Sequence, residues 1–366
     1  MKVALVCDWL TNVGGAEKVL LKFHHLYPQA PIYTSKYSRK GISWFDDADV
    51  RTGWLQIFPA GMRRFLGVFR ERWFRKLDLT EYDLVISVTG AEAKAVQRLK
   101  PGAKHISYCH VPTQYYWQMY DEYVENPGFG VLNPLVRVCF RALVKPLRRR
   151  DFEAAQRVDQ FVTISEYARG LILKYYKRDA IIVHPPVELD VFSKGRKSSP
   201  YAYYIVTSRQ VTWKRLDLAV KACLKMGRRL VVIGDGPEHK NLVKMAGGSE
   251  LIEFVPTLER EELAKYLQGA KGYIFPSLEP FGIAPVEALA AGCPVIAFCE
   301  GGALDYVADG KNGVLFEKQT VKSLVEGITR FEKIKFDERV VEKSVENFGQ
   351  ERFDKEIRKV VNEATR

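Results

Sequence analysis

Residues Ser277–Pro294 read SLEPFGIAPVEALAAGCP, and the order of residue types in this stretch decides the fold. Gly282 lets the backbone bend or approach a ligand, and Pro285 suits the first helical turn, where its missing N–H costs nothing. A helix is therefore expected from about Ala284. The unpaired N–H groups around Phe281, Gly282, Ile283 and Ala284 then offer partial positive charge to an anion such as a diphosphate. Glu279 precedes the turn and Glu287 lies in the first helical turn, so both carboxylates can face one cleft. Val286, Leu289 and Ala290 would bury the other side of the helix.

The flanking sequence alternates in the same way. Upstream of this stretch, strands are expected at Tyr203 to Thr207, Arg229 to Ile233, Ile252 to Phe254 and Gly272 to Phe275. Helices are expected between them at Arg215 to Met226, Glu238 to Ala246 and Glu259 to Gln268. Pro294 to Phe298 and Gly313 to Leu315 add strands. The N-terminal half repeats the theme, with strands at Lys2 to Asp8, Pro31 to Tyr33, Leu84 to Val88, His105 to Cys109, Phe161 to Ile164 and Ile181 to Val183. Helices are expected from the end of TNVGGAE (Thr11 to Glu17) to about Tyr27 and over Ala91 to Leu99. Alternating strands and helices argue for parallel sheets with ligands at their carboxyl edges. The run KGRKSSP, residues 194–200, is the expected linker between two such domains.

Composition sets the bounds. At 366 residues, 47% apolar and 27% charged, the chain suits two globular domains. No run of about 18 uninterrupted apolar residues occurs, so no membrane-spanning helix is expected. MKVALVCDWL turns polar too soon for a secretory signal and reads as a first strand, from which a cytoplasmic location is expected. The six cysteines form no C-x-x-C pair, which favours buried thiols over disulfides or zinc. A net charge of +12 implies an anionic partner: phosphate-bearing substrates, a membrane surface or nucleic acid. Nucleic acid is the reading set aside, because no helix-turn-helix, zinc or RNA-binding aromatic signature accompanies the charge.

Two basic segments carry aromatic or apolar residues: Met62 to Leu77, MRRFLGVFRERWFRKL, and Val136 to Arg150, VRVCFRALVKPLRRR. In the first, Phe65, Phe69, Trp73 and Leu77 recur at helical spacing among arginines. Such a helix can lie on an anionic bilayer or bury its stripe in the core, and both readings stay open.

Among residues that could carry chemistry, SRQVTWKRLDLA (Ser208–Ala219) puts Arg209 just after a strand and Lys214 just before a helix. They are either surface cations or a diphosphate clamp able to stabilise charge on a leaving group. Gly234, Asp235 and Gly236 make a turn after the next strand, in G-D-G-P-E. His110 follows a strand in SYCHVPTQYYW, where an imidazole can hydrogen-bond a sugar hydroxyl or serve only structure. Gly14 and Gly15 form a glycine pair between strand and helix, without the G-x-G-x-x-G spacing of a nicotinamide dinucleotide site. Gly301 and Gly302 form another close-approach turn. Asp46, Asp47 and Asp49 read as a solvated loop rather than a metal site. Ser165 reads as a helix N-cap with no G-x-S-x-G context.

These motifs in this order resemble the retaining nucleotide-sugar glycosyltransferases of family 4. The resemblance rests on GGAE, the histidine strand, SEYARG with YYKRDAIIVHPPVE, the R-x4-K pair Arg209 and Lys214, GDGP, and the E-x7-E pair Glu279 and Glu287. C-H-x-P-x-x-Y-x-W-x-x-Y, from Cys109 to Tyr120, is similar to a bacterial subgroup dominated by mannosyltransferases of polysaccharide and O-antigen synthesis. Gln114 and Gln118 depart from that pattern, where Arg and Asp would stand.

The resemblance implies a GT-B fold: an acceptor-side Rossmann-like domain over 1–195, a donor-binding domain over 196–346, and a C-terminal helix, Gln350 to Ala364 within 347–366, packing back on the first. It implies a retaining hexosyl transfer, with mannose from GDP-mannose expected and a UDP-sugar donor as the alternative. The acceptor would be a glycan or a polyprenyl-diphosphate-linked glycan, with no cofactor and no metal. Arg209 and Lys214 would clamp the diphosphate, Glu287 would bind the ribose diol, Glu279 would contact the donor sugar, and His110 would meet the sugar. Gly14 and Gly15 would approach donor phosphate or acceptor. A peripheral site at the inner face of the cell membrane is the accompanying expectation. Two other classes share some of these features: a phosphorylase or epimerase of the same architecture, and a non-catalytic protein that binds a membrane or nucleic acid through its basic surface.

Overall fold

Apolar runs bounded by turn residues become strands in both halves of the chain. The computed structural model describes residues 1–59, 66–125, 127–128, 130–193 and 203–366. They fall into two units, Met1–His184 with Asp354–Arg366, and Pro185–Phe353. The expected linker 194–200 and Phe65 lie outside the described residues.

The first unit runs β1 (Val3–Cys7), α1 (Gly15–Leu26), β2 (Ile32–Thr34), β3 (Val50–Arg51), α2 (Gly67–Lys76), β4 (Asp78–Leu79), β5 (Leu84–Thr89), β6 (Arg98–Leu99) and β7 (Lys104–Cys109). It continues with α3 (Tyr120–Glu125), α4 (Asn133–Gln156), β8 (Gln160–Thr163), α5 (Glu166–Tyr176) and β9 (Ile181–Ile182). Seven strands form one sheet in the order β3-β2-β1-β5-β7-β8-β9, and β4 pairs with β6 apart from it. The register sets Leu5 beside Ile32 on one side and Ile86 on the other, with every pairing parallel. Central strands are buried on both faces, as their unbroken Val, Ile and Leu content requires.

The second unit runs β10 (Tyr203–Thr207), α6 (Leu216–Met226), β11 (Arg229–Ile233), α7 (His239–Ala246), β12 (Ile252–Val255), α8 (Arg260–Gln268) and β13 (Gly272–Phe275). There follow α9 (Ile283–Ala290), β14 (Val295–Phe298), β15 (Gly313–Phe316), α10 (Val321–Phe331) and α11 (Glu338–Lys343). Its sheet is β12-β11-β10-β13-β14-β15, again parallel. Tyr204, Val206, Val232, Ile274, Ile296 and Val314 build its core against Leu216, Val220, Leu324 and Ile328. Helix α12 (Gln350–Ala364) starts in this unit and belongs to the first from Asp354 onward.

Beyond shifts of a residue or two at element ends, three differences between the sequence reading and the structure have a physical reason. Ala91 to Leu99 is a short 3-10 turn at Ala93–Ala95 followed by β6, not a helix. The N–H groups of Gly90, Ala91 and Ala93 donate instead to the Asp8 carboxylate at 2.9, 3.0 and 2.7 Å, which takes the donors out of any helical ladder. In α2 the fully buried side chains are Arg70, Glu71 and Phe74; of the expected stripe, Trp73 and Leu77 pack partly buried against the core around Phe74, while Phe69 is half exposed. A buried ion pair, Arg70 Nε to Glu92 Oε2 at 2.9 Å, turns the helix to that face. The units divide at His184 and Pro185 rather than within 194–200, because Val187 bridges Gly349 and Gln268 Nε2 donates to the Phe192 carbonyl at 2.9 Å, both within the second unit.

Candidate functional site

In the second unit the chain winds outward from β10 through β11 to β12, then in the opposite direction from β13 through β14 to β15. The reversal falls between β10 and β13, which are paired neighbours. Loops leaving their carboxyl ends diverge there, and ligands of open α/β sheets bind at such a switch point. Arg209 and Lys214 lie on the loop after β10; Glu279 and Gly282 lie on the loop after β13.

These loops are tied together by charge. Lys214 Nζ is 2.5 Å from Glu279 Oε1, and the two side chains are only 16% and 14% exposed. Ser277 Oγ donates to the same carboxylate oxygen at 2.8 Å. The Lys214 ammonium also sits 4.5 Å from the centre of the Trp213 ring, whose face favours a cation. Arg215 then takes a left-handed conformation, φ 54°, and turns the chain into α6. Arg209 is exposed and has no ion-pair partner among the described residues, which leaves its guanidinium available to an anion.

Helix α9 begins at Ile283, one residue before the expected start. Gly282 caps it at φ 88°, and a Cβ there would stand 2.6 Å from the Phe275 ring and 2.9 Å from the Tyr306 hydroxyl. Tyr306 donates to the Phe281 carbonyl at 2.7 Å, and burial pushes its phenol well above the ordinary value, with Glu279 adding to the effect. The turn is thus held rigidly, with the N–H groups at the start of α9 directed out of the helix. Gly302 serves the same loop: its N–H donates to the Glu279 carbonyl at 2.8 Å, so this close approach is to protein backbone.

Glu287 is buried on α9 and faces Arg260 Nη2 at 3.4 Å; Arg260 Nε in turn lies 3.0 Å from Glu188. The Gly234–Gly236 turn packs on the β10 loop, where a Cβ on Gly234 would strike the Ser208 carbonyl. Asp235 Oδ1 accepts the Gly236 N–H at 2.6 Å. Gln210, fully buried, latches this turn: its Nε2 donates to the Gly234 carbonyl at 2.6 Å and its Oε1 pairs with His239 Nδ1 at 2.9 Å. Nothing in the sequence marks Gln210 for this task, nor Arg260 or Tyr306, since each acts on residues distant along the chain.

In the first unit the winding reverses between β1 and β5. Gly14 is extended at the N-terminus of α1, and the missing Cβ leaves room for Glu17 to fold back over it, its Oε2 2.7 Å from that position. Asp8, at the end of β1, gathers the β5 loop as described above; burial and the neighbouring Glu92 raise its carboxyl above the ordinary range. A buried pair, Lys94 Nζ to Asp151 Oδ1 at 2.6 Å, continues the network, and Asp151 also accepts from Thr113, Trp117 and Tyr176. His110 follows β7. Its Nε2 is out of contact with solvent and without a hydrogen-bond partner, and burial lowers its pKa to about 4, so the ring is neutral at pH 7. Neutral imidazole with an open nitrogen suits a hydroxyl-bearing ligand.

The Asp46, Asp47 and Asp49 side chains meet different partners: Tyr37 at 3.1 Å, His24 at 3.8 Å and Arg51 at 2.7 Å. Among the described residues no cluster of three or more metal-ligating side chains occurs, and no helix is long and apolar enough to cross a membrane.

Two parallel-sheet units with ligand-type switch points define the GT-B fold, and solved structures agree. The lipopolysaccharide outer core galactosyltransferase WaaB, in its apo form, superposes with TM-score 0.71 at 15% identity, covering 99% of each chain. Anabaena Alr3699/HepE in complex with UDP gives TM-score 0.71 at 16% identity, covering 99% of this chain and 100% of that one. Within the chain, residues 189–351 match the family model described as glycosyl transferases group 1. That span holds both switch-point loops of the second unit. Among curated proteins, the D-inositol 3-phosphate glycosyltransferase of Mycolicibacterium smegmatis is 31% identical over 47% of this chain and 45% of its own length. The protein of the same name from Mycobacterium sp. (strain KMS) is 27% identical over 66% of this chain and 63% of its own. The chain thus spans less than two thirds of the length of these relatives.

Proposed function

We propose that the protein is a group 1 glycosyltransferase that moves a hexose from a nucleoside diphosphate sugar to a glycan or lipid-linked acceptor with retention of anomeric configuration. One observation carries the reading: Lys214 pairs with Glu279 across the loops that leave β10 and β13 at the switch point, with Arg209 on the first of these loops and the N-terminus of α9 ending the second, inside the span that matches the family model. Arg209 and Lys214 hold the diphosphate with the amides of Gly282, Ile283 and Ala284, and Glu287 takes the ribose diol. Glu279 contacts the donor sugar, and the Gly234–Gly236 turn lies toward the nucleoside. Gly14, Gly15 and His110 of the first unit are the remaining substrate contacts.

The C1–O bond to the diphosphate breaks as the acceptor oxygen bonds to C1 from the same face, and the acceptor proton passes to the departing phosphate oxygen. The two cations stabilise the charge that grows on that oxygen, so neither an enzyme nucleophile nor a metal is required.

For the donor, mannose from GDP-mannose draws no support from the relatives. Neighbours of the same fold are described with UDP and with UDP-glucose, which favours a UDP-sugar. The test is nucleotide release from UDP-glucose, UDP-galactose, UDP-N-acetylglucosamine and GDP-mannose, followed by mass spectrometry of product formed on cell-derived glycolipid. UDP release that depends on acceptor supports the proposal, and acceptor-dependent GDP release restores mannose. Sugar interconversion without acceptor would indicate an epimerase.

A further inference from the structure

Helix α4 is apolar on two opposite faces. Val144, Leu147, Ala154 and Ala155 point into the first unit. On the other side Leu135, Val138, Cys139 and Ala142, spaced i, i+3, i+4 and i+7, lie in solvent, with Leu135 62% and Val138 65% exposed. A helix packed on a core ordinarily turns polar residues outward, and single exposed apolar side chains need no explanation. A stripe of them over two turns does.

The charges beside the stripe identify what covers it. Between Asn133 and Arg150 the sequence contains no aspartate or glutamate, while Arg137, Arg141, Lys145, Arg148, Arg149 and Arg150 all fall there. Four of these have partners: Arg137 donates to the Val124 carbonyl at 3.1 Å, Arg148 donates to the Tyr116 carbonyl and lies over Trp117 and Tyr120, Arg149 pairs with Glu153 at 3.5 Å, and Arg150 pairs with the buried Glu71 at 3.9 Å. Arg141 and Lys145, both exposed, have no ion-pair partner among the described residues. A second copy of the chain on this face would set two cationic rows against each other, and a nucleic acid would have no use for the apolar stripe. An anionic bilayer satisfies both features, taking the stripe into its interface and the cations at its headgroups.

We infer that the outer face of α4, from Leu135 to Lys145, docks the protein on an anionic lipid bilayer.

The test is co-sedimentation of the full chain with vesicles of phosphatidylcholine alone and of phosphatidylcholine mixed with phosphatidylglycerol, for the wild type, R141Q/K145Q and L135S/V138S. All substituted side chains are exposed, so the melting temperatures should match the wild type. The wild type should bind the mixed vesicles preferentially and release in high salt. R141Q/K145Q should weaken that binding roughly 30-fold, taking about five-fold per cation near the surface. L135S/V138S should weaken it as well. Equal binding to neutral vesicles, or undiminished binding by either variant, would overturn the inference. So would the absence of vesicle binding together with a dimer in sedimentation velocity that L135S/V138S dissociates.

Discussion

Replacing Lys214 by methionine keeps an unbranched side chain of nearly the same length and removes its charge, which isolates the ion pair with Glu279. At 2.5 Å with about 15% exposure on each side, the pair lies between two measured regimes. Exposed pairs contribute about 0.2–1 kcal/mol, and breaking a buried pair from one side costs about 3–5 kcal/mol. Glu279 keeps the Ser277 hydroxyl at 2.8 Å, so a loss of about 1–3 kcal/mol is expected. For a unit of this size that lowers the apparent midpoint of thermal unfolding by roughly 3–10 °C. K214M/E279Q should recover most of the loss, since the stranded carboxylate is gone. Transfer should not recover. Loss of one group that stabilises the leaving diphosphate lowers kcat by roughly 100- to 1,000-fold, and the double variant should remain at least as impaired. Differential scanning fluorimetry and nucleotide release measure the two effects separately. A K214M protein with wild-type stability and wild-type turnover would refute both the pair and its role in the diphosphate clamp.

Other outcomes follow from the same geometry. Gly282→Ala meets a left-handed backbone, about 1–2 kcal/mol, and a crowded Cβ site, about 1–3 kcal/mol, so calorimetry should show roughly 2–5 kcal/mol lost. His105 is fully buried, and burial lowers its pKa from the ordinary 6.5 to about 4. The unfolded chain takes up that proton near pH 6.5 and the native one only near 4, so the stabilisation is complete above 6.5 and falls, by up to about 3 kcal/mol, as pH drops through that window. Urea unfolding at pH 7.5 and 5 should show the fall, with a smaller slope in His105→Gln. Transfer should proceed undiminished in EDTA; a large loss restored by Mg2+ or Mn2+ would contradict a clamp made only of protein cations.

Much of this molecule can be read in its sequence because parallel strands buried on both faces are written as uninterrupted Val, Ile and Leu. The second unit's strands all lie where their apolar runs fall. The start of α9 was readable to within a residue, since Gly282 and Pro285 each have one good place in such a turn. Long-range polar contacts are not written locally. Asp8 captures the N–H groups of Gly90, Ala91 and Ala93 and abolishes a helix that the local composition favours. Arg70 is buried by pairing with Glu92, so an arginine takes a core position that periodicity would give to Phe69. Lys214 and Glu279 could be proposed from residue type and spacing, but their contact depends on β10 and β13 being neighbours. Gln210, Tyr306 and Arg260 carry no local signal at all.

The central claim is that the switch point of the second unit holds a nucleoside diphosphate. Thermal shift of the wild type and of Arg209→Ala with UDP, GDP and ADP in EDTA tests it most directly. One nucleotide at about 100 times Kd should add roughly 2.7 kcal/mol to the wild type. Arg209 has no ion-pair partner among the described residues, so its variant should melt with the wild type in buffer and lose most of the nucleotide-dependent shift. No shift with any nucleotide, or an equal shift in Arg209→Ala, would contradict the claim.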